Sequence, residues 1–489
     1  MSKSDVKTKA IKGITWNLVE RFGLQGVKFV INILLARLLT PAEFGIVGMV
    51  IVFFVISETF VNSGFGQAYI QKEQVTEQDA NTVFYTNLSI SVLIYVILWF
   101  AAPFIANFYD KPVMLELTRV MGVVIIIHAF SIIQIAKLTR AVDFKKKALI
   151  SLVSICVSGA LGLVAALKGM GVWSLVILNI SERFFVTAGL WLSVKWKPSF
   201  TFSKASFKEM FAFGSWIFLY GIVYQIFDNI YTMVIGKIFP IAQVGFYSQA
   251  KKFQRQSTRK VVDSVGVVSF PVFSHARSNI PRLQNMVKKF LQHSMIFVTP
   301  MSLILIVIAE PFVILFLTDK WAPMIPYFQL LCVAGILYPV NVVNSKIYLA
   351  MGKSRLHFNI SMVRNVLRIV NILIMYRFGV LQIIVGEIVL SLITTVVECA
   401  VTGKLIQYGF FRQARDIRKI LLSGAFAFAA GYLLTFLIDD LWLLLFAGTL
   451  VTGGVYVLLQ FLFNREVFME TIRLRKTFAP VKKTSMDEL

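Results

Sequence analysis

The sequence predicts an all-α polytopic membrane protein of about fourteen transmembrane helices, built as two pseudo-symmetric six-helix lobes plus two C-terminal helices. Three observations predict it: the composition, the alternation of basic and non-basic loops, and an internal repeat. Of the 489 residues, 57% are hydrophobic and 15% charged, and mean hydropathy is +0.75. A soluble domain is about 45–50% apolar and about 25% charged, so there is too little polar side chain here to clothe a soluble globule. Apolar runs long enough to cross about 30 Å of hydrocarbon as helix recur along the chain.

Apolar runs between turn and charge signals place spans at residues 12–38, 42–69, 82–108, 114–137, 148–167, 171–194, 208–235, 242–273, 288–317, 325–349, 358–376, 380–403, 418–437 and 441–463. The opening MSKSDVKTKAIKG lacks the apolar core and small-residue cleavage site of a signal peptide, so the first span is expected to stay as an anchor. The N-terminus, the even-numbered connections and the tail carry thirty Lys and Arg residues. The odd-numbered connections carry six: Arg37, Lys111, Lys168, Lys237, Lys320 and Arg377. Basic loops resist export, so both termini are expected on the cytoplasmic side of a bacterial inner membrane. Most of the net charge of +24 is this loop bias, which favours anionic membrane lipid and implies no nucleic-acid partner. Lys72, in one of these cytoplasmic loops, is expected to matter little. Cys156, Cys332 and Cys399 lie inside spans without metal-like spacing and are expected to be buried apolar side chains, with no disulfide.

The chain repeats itself at an offset of 200 residues. Thr15-Trp16 answers Ser215-Trp216, Gln25 answers Gln225, and ARLLTPAEFG (36–45) answers GKIFPIAQVG (236–245). Six spans, an even number, separate the copies, so the halves share one orientation, as in transporters built from parallel repeats. The expected organisation is an N-lobe of residues 1–200, a C-lobe of residues 201–403, and residues 404–489 as two further spans with a basic cytoplasmic tail.

The repeat also identifies a span that hydropathy misses. Residues 246–264, FYSQAKKFQRQSTRKVVDS, read as a polar loop, yet they align with the apolar second span. Without a crossing here, every later loop would change sides and the basic connections after it would be exported, against the rule that orients the rest. The eighth span is therefore expected to cross while highly charged.

Charged residues inside spans are costly and mark water-filled pathways. On the eighth span Lys252, Arg255 and Arg259 fall at i, i+3 and i+7, and Lys251 precedes Arg255 by four, which makes one cationic face. On the first span Asn17, Arg21, Gln25, Lys28 and Asn32 share one polar face. The seventh adds Tyr224, Gln225, Asp228 and Tyr231, and the eleventh adds Arg364, Arg368 and Asn371. Grouped cations repel a cationic drug and attract a diphosphate, whose oxygens Arg can bind in bidentate fashion. The expected substrate-binding set is Arg21, Lys28, Lys251, Lys252, Arg255 and Arg259, with Gln25, Gln225, Arg364 and Arg368 as a secondary groove. Asp228 is the 200-residue counterpart of Lys28; either the two pair across the cavity, or Asp228 orients a neighbouring Arg or Tyr. Asp228 and Glu58 are the candidate carboxylates for coupling to H+ or Na+; no cofactor and no metal are expected.

The opening GITWNLVERFGLQGVKFVINILLARLLTPAEFGIVGMV, the NSGFGQAYIQ stretch (62–71) and the mid-chain AKKFQRQSTRKVVDSVGVVSFPVFSH resemble the polysaccharide flippases of the multidrug, oligosaccharidyl-lipid and polysaccharide exporter superfamily. The similarity is to the branch associated with colanic-acid-type and lipopolysaccharide repeat units. It implies two six-helix lobes in a V, two further helices, and translocation of an undecaprenyl-diphosphate-linked glycan (O-antigen, capsule or exopolysaccharide) by alternating access. It also implies that basic residues of the first and eighth spans, here Arg21, Lys28, Lys252, Arg255 and Arg259, line the central cavity. The second span is apolar apart from Glu58, unlike the cationic second helix of the lipid II branch. A polysaccharide polymerase and glycosyltransferases are the implied protein partners.

Two alternatives stand beside this reading. A multidrug cation antiporter would prefer a carboxylate-rich cavity and twelve spans. A membrane glycosyltransferase or polymerase would need acidic catalytic residues beside a sizeable external loop, whereas the external connections are short turns such as YDKPV and TDKWAP. No phosphate-binding GxxxxGK[ST] loop is present, so ATP hydrolysis by this chain is not expected.

Overall fold

A computed structural model describes residues 23–62 and 64–478. Among them the chain is helical throughout, without strands. The helices are α1 (residues 23–38), α2 (Pro41–Val61), α3 (Phe65–Gln71), α4 (Glu77–Tyr109), α5 (Val113–Arg140), α6 (Phe144–Leu167), α7 (Val172–Ser193) and α8 (Lys204–Ile238). They continue as α9 (Ile241–Gln254), a π-helical turn (Arg255–Arg259), α10 (Lys260–Ala276), α11 (Ile280–Val307), α12 (Ala309–Leu317), α13 (Ile325–Ile336) and α14 (Tyr338–Ala350). The last are α15 (Ser354–Met375), α16 (Val380–Ile406), α17 (Phe410–Leu433), α18 (Leu441–Phe463) and α19 (Arg465–Phe478). Among the described residues eleven segments are long and apolar enough to cross a membrane. The three remaining expected spans are α1, α8 and the helix from Ile241 to Ala276.

Local chemistry sets the starts of these helices. Thr40 caps α2 by accepting from the Glu43 amide, and Glu43 Oε2 accepts in return from Thr40 N at 2.6 Å, with Pro41 in the first turn. Thr76 and Asp79 repeat this reciprocal cap on α4. Each such cap satisfies amides that have no partner within the helix. The outer surface is apolar, with Phe104 and Leu192 among many exposed large side chains. In water a surface of this kind would drive association; against lipid it is the solvated face.

The chain divides into two compact units, Met1–Ser248 and Gln249–Leu489, with the division inside the eighth span. In the first unit α8 packs against α2, α3 and α4. One end of this unit gathers the start of α4, the end of α5 and the end of α7. Lys137 bonds Glu77 at 3.1 Å, Trp196 Nε1 donates to Glu77 at 2.6 Å, and Arg140 caps the carbonyls of Tyr69 and Ile70. At the other end, Lys237 of α8 bonds Asp110 beyond α4 at 3.1 Å.

The 200-residue repeat has a direct structural counterpart within this unit. A Cβ on Gly45 would overlap the carbonyl oxygen of Ile241, and a Cβ on Gly245 would overlap that of Pro41. Gly45 and Gly245 lie 200 apart, as do Pro41 and Ile241, so the two contacts exchange under the repeat and the starts of α2 and α9 meet through a local two-fold relation. Helices approach this closely in lipid only where small residues let backbones touch.

The charged helix begins at the end of the first unit and runs on through the second. Its three segments hold 14, 5 and 17 residues, which at about 1.5 Å per residue exceeds the hydrocarbon thickness of about 30 Å. Phe253, near its start, packs on Phe312 and Phe328 at the α12 and α13 end. Phe273, near its finish, packs on Phe290 of α11 in a cluster with Leu283, Ile347 and Ile406. The polar stretch expected to cross is a helix running from one end of its unit to the other.

Candidate functional site

The basic residues of the eighth span are carried by α9 and the π turn. Lys252 is exposed, while Lys251, Arg255 and Arg259 are half-buried. The turn has a local cause: Thr258 Oγ1 bonds the Gln254 carbonyl at 2.9 Å, and Gln254 Nε2 returns a bond to Thr258 Oγ1 at 2.9 Å. A hydroxyl that takes the carbonyl four residues back competes with the α-helical amide, and the wider i→i+5 turn follows, a feature frequent at functional sites. Gly335 of α13 faces this turn closely enough that a Cβ would press on Gln254 and Thr258. The strip therefore departs from the regular 3.6 periodicity assumed from sequence, yet Arg255 and Arg259 still bracket one turn.

Arg259 is braced. Its Nε donates to Tyr338 Oη at 3.1 Å, its guanidinium lies 4.9 Å from that ring's centre, and Tyr338 Oη donates to Asp263 at 2.7 Å. Tyr338 opens α14 beside Pro339, where the tenth span breaks between α13 and α14. Sequence reasoning missed both as partners: Asp263 follows Arg259 by four on the cationic face, a signal left unused, and Tyr338 comes from another helix.

The first-unit candidates are arranged differently from the expectation. Arg21 lies outside the described residues. Lys28 bonds Glu182 of α7 at 2.6 Å, not Asp228, so the cross-cavity pair that the repeat offered is replaced by a contact within the N-terminal half. Glu58 bonds the next residue, Arg183, at 2.7 Å. Arg183 also reaches His128 Nδ1 at 3.5 Å, and His128 Nε2 meets Asn62 at 3.2 Å. Two adjacent charges on α7 thus neutralise α1 and α2. The signal was present in the NISERFF stretch, charges set in an apolar span. Gln25 is half-buried on α1; on α8, Gln225 is half-buried and its carbonyl accepts from Asn229, and Asp228 is half-buried.

Arg364 and Arg368, expected in a secondary groove, meet carboxylates of α16. Arg364 bonds Glu398 at 3.1 Å and Arg368 bonds Glu387 at 2.8 Å. Glu398 is 2% exposed, and its backbone carbonyl accepts from Tyr348 at 2.6 Å beside a network of Asn344, Thr402 and Gln413. A partnered buried charge of this kind commonly serves structure. Cys332 and Cys399 are buried, but Cys156 is exposed on α6, because a span's lipid-facing side accepts a small apolar thiol. Among the described residues no group of His, Cys, Asp and Glu could hold a metal ion.

A many-spanning helical bundle with charged residues on crossing helices is the architecture of membrane transporters. The fold matches that of "Lipid II flippase MurJ, inward closed conformation" with a TM-score of 0.77 at 15% identity, covering 93% of this chain and 99% of that one. It matches an inward-facing multidrug resistance MATE family transporter of the MOP superfamily with a TM-score of 0.62 at 14% identity, covering 80% and 99%. The chain belongs to the polysaccharide biosynthesis protein family, whose model matches residues 34–326. Similar proteins include the succinoglycan biosynthesis transport protein ExoT of Rhizobium meliloti, 25% identical over 68% of this chain and 67% of that protein. The lipopolysaccharide biosynthesis protein WzxC of Escherichia coli is 22% identical over 83% and 84%, and the teichuronic acid biosynthesis protein TuaB of Bacillus subtilis 23% over 72% and 74%.

Proposed function

We propose that this chain is a flippase that carries an undecaprenyl-diphosphate-linked oligosaccharide from the cytoplasmic to the outer leaflet of a bacterial inner membrane. The observation that carries the reading is the set Lys251, Lys252, Arg255 and Arg259 on a helix that runs the full length of its unit. A diphosphate brings negative charge and several acceptor oxygens, and guanidinium groups bind both better than they bind any cationic drug. Bracing of Arg259 by Tyr338 fixes one fork and lowers the ordering cost of binding. Arg21 supplies a further cation from the first span, Lys28 joins it only when an arriving diphosphate displaces Glu182, and two lobes of residues 1–200 and 201–403 alternate access around them. Coupling to H+ or Na+ is assigned to Asp228; Glu58, held by Arg183, keeps a structural part.

Two measurements test this. Lipid-linked repeat units should accumulate inside cells carrying Arg255→Ala at normal membrane abundance, with surface polysaccharide lost; normal surface polysaccharide would overturn the assignment. For orientation, single Cys residues at Lys320 and Lys404 in a cysteine-free chain should label from outside and only after permeabilisation, respectively.

A further inference from the structure

The second unit carries a basic pocket whose lining includes no residue of the π turn. It has a volume of about 430 Å³ and is lined by Pro281, Gln284, Asn285 and Lys288 from the first turns of α11, by Tyr408, and by Arg412, Arg415 and Asp416 from the first turns of α17. The single carboxylate is already engaged: Asp416 Oδ1 meets Lys288 Nζ at 3.0 Å and Oδ2 accepts from Tyr408 Oη at 2.7 Å. Arg412 donates one bond to the Gln407 carbonyl at 2.7 Å and keeps the rest of its fork exposed. Arg415 has no ion-pair partner among the described residues. With one Lys paired to one Asp, the pocket presents two guanidinium groups without a carboxylate of their own among the described residues.

What lies beside the pocket identifies the kind of anion. Leu422, Phe426 and Leu433 follow Arg415 at i+7, i+11 and i+18, spacings that return to one helix face. All three are exposed, Leu422 by 57% and Phe426 by 66%. Phe411, one turn before Arg415, is 86% exposed. Arg415 thus stands at the head of an apolar stripe on a span, where a phosphate and its hydrocarbon chain can be bound together. Basic pockets between transmembrane helices at the cytoplasmic surface suit anionic lipid headgroups, and the orientation proposed above puts the α11 and α17 starts on that surface.

The geometry points to a specific anionic phospholipid site here, with the headgroup phosphate between Arg412 and Arg415 and an acyl chain along Leu422, Phe426 and Leu433. The site goes beyond the transported cargo and is independent of it. Its occupant is a resident lipid of the inner leaflet that docks the start of α17 against α11.

Native mass spectrometry of the purified full-length chain tests this, with phosphatidylglycerol, phosphatidylethanolamine, undecaprenyl diphosphate and inorganic phosphate titrated separately. Phosphatidylglycerol should bind in preference to the other three. Each surface cation contributes about five-fold in affinity, so Arg412→Gln with Arg415→Gln should weaken phosphatidylglycerol by roughly twenty- to thirty-fold. The Arg412→Lys, Arg415→Lys pair should retain most of the binding and guards against loss through misfolding, and Lys353→Gln with Arg355→Gln, outside the pocket, should change nothing. Equal retention of phosphatidylethanolamine, an unchanged affinity in the double Gln variant, or preference for undecaprenyl diphosphate or inorganic phosphate would each overturn the phospholipid site.

Discussion

Arg183 of α7 holds Glu58 of α2 at 2.7 Å, and the preceding residue, Glu182, holds Lys28 of α1 at 2.6 Å. One turn of one helix therefore balances a carboxylate and an ammonium on two others, and Lys28 and Glu58, read from sequence as a substrate and an ion site, are partnered within the fold.

This relationship predicts an asymmetry between single and double substitutions. Arg183→Ala leaves a carboxylate without its cation inside a span, a loss of about 1–3 kcal/mol. Glu58→Gln combined with Arg183→Gln keeps the shape and removes both charges, so its thermal unfolding midpoint in detergent should lie above that of Arg183→Ala. A double variant as unstable as the single one would show that the two residues do not act as a pair.

Tyr338 should act through Arg259. Tyr338→Phe keeps the ring over the guanidinium and removes the hydroxyl that links Arg259 to Asp263. Transport measured as surface polysaccharide per unit of membrane-inserted protein should fall several-fold, less than in Arg259→Ala. Wild-type transport in Tyr338→Phe would remove the bracing role.

Lys72 has a structural role that its loop position hides. It bonds Asp79, 1% exposed, at 3.1 Å and Glu209 at 2.8 Å. Lys72→Ala should cost about 1–3 kcal/mol because the buried Asp79 keeps its bond from Thr76 but loses its cation, seen as reduced abundance and an earlier unfolding midpoint. The bond to Glu209, then those to Asp79, hold the ammonium above the usual Lys range. A raised cationic pKa contributes stability that is complete below the unfolded value and is lost as pH climbs through the folded one. The Lys72→Ala deficit should therefore be constant from pH 6 to 9; a deficit that shrinks in that interval would assign it to another group.

Gly45 and Gly245 should be equally intolerant. Either Gly→Ala change forces the α2 and α9 starts apart, and overpacking of this kind costs about 1–3 kcal/mol. Because both act on one contact, the double variant should cost less than the sum of the two. Full additivity in unfolding measurements would mean that the glycines serve separate contacts.

Sequence alone determined the class and the helical architecture, and it pointed to a helix where the polar stretch within Ile241–Ala276 reads as a loop. These follow from composition, from period and from loop parity, which are one-dimensional properties enforced by the bilayer: polar backbone must be satisfied within each span, and basic loops must stay on one side. The repeat was legible for the same reason, since Gly45 and Gly245 are conspicuous at one offset. Partner choice was not. Helical spacing puts Lys28, Glu58, Arg364 and Arg368 on faces, but it does not say which face of which other helix arrives opposite. Only tertiary packing set Glu182 against Lys28, Arg183 against Glu58, and Glu398 and Glu387 against the two arginines of α15. The π turn belongs to the same category, because it depends on Thr258 competing for a carbonyl and on a glycine of α13 leaving room. The energy of a charge inside a membrane depends on what it meets within a few ångströms, and that distance is a property of the folded chain.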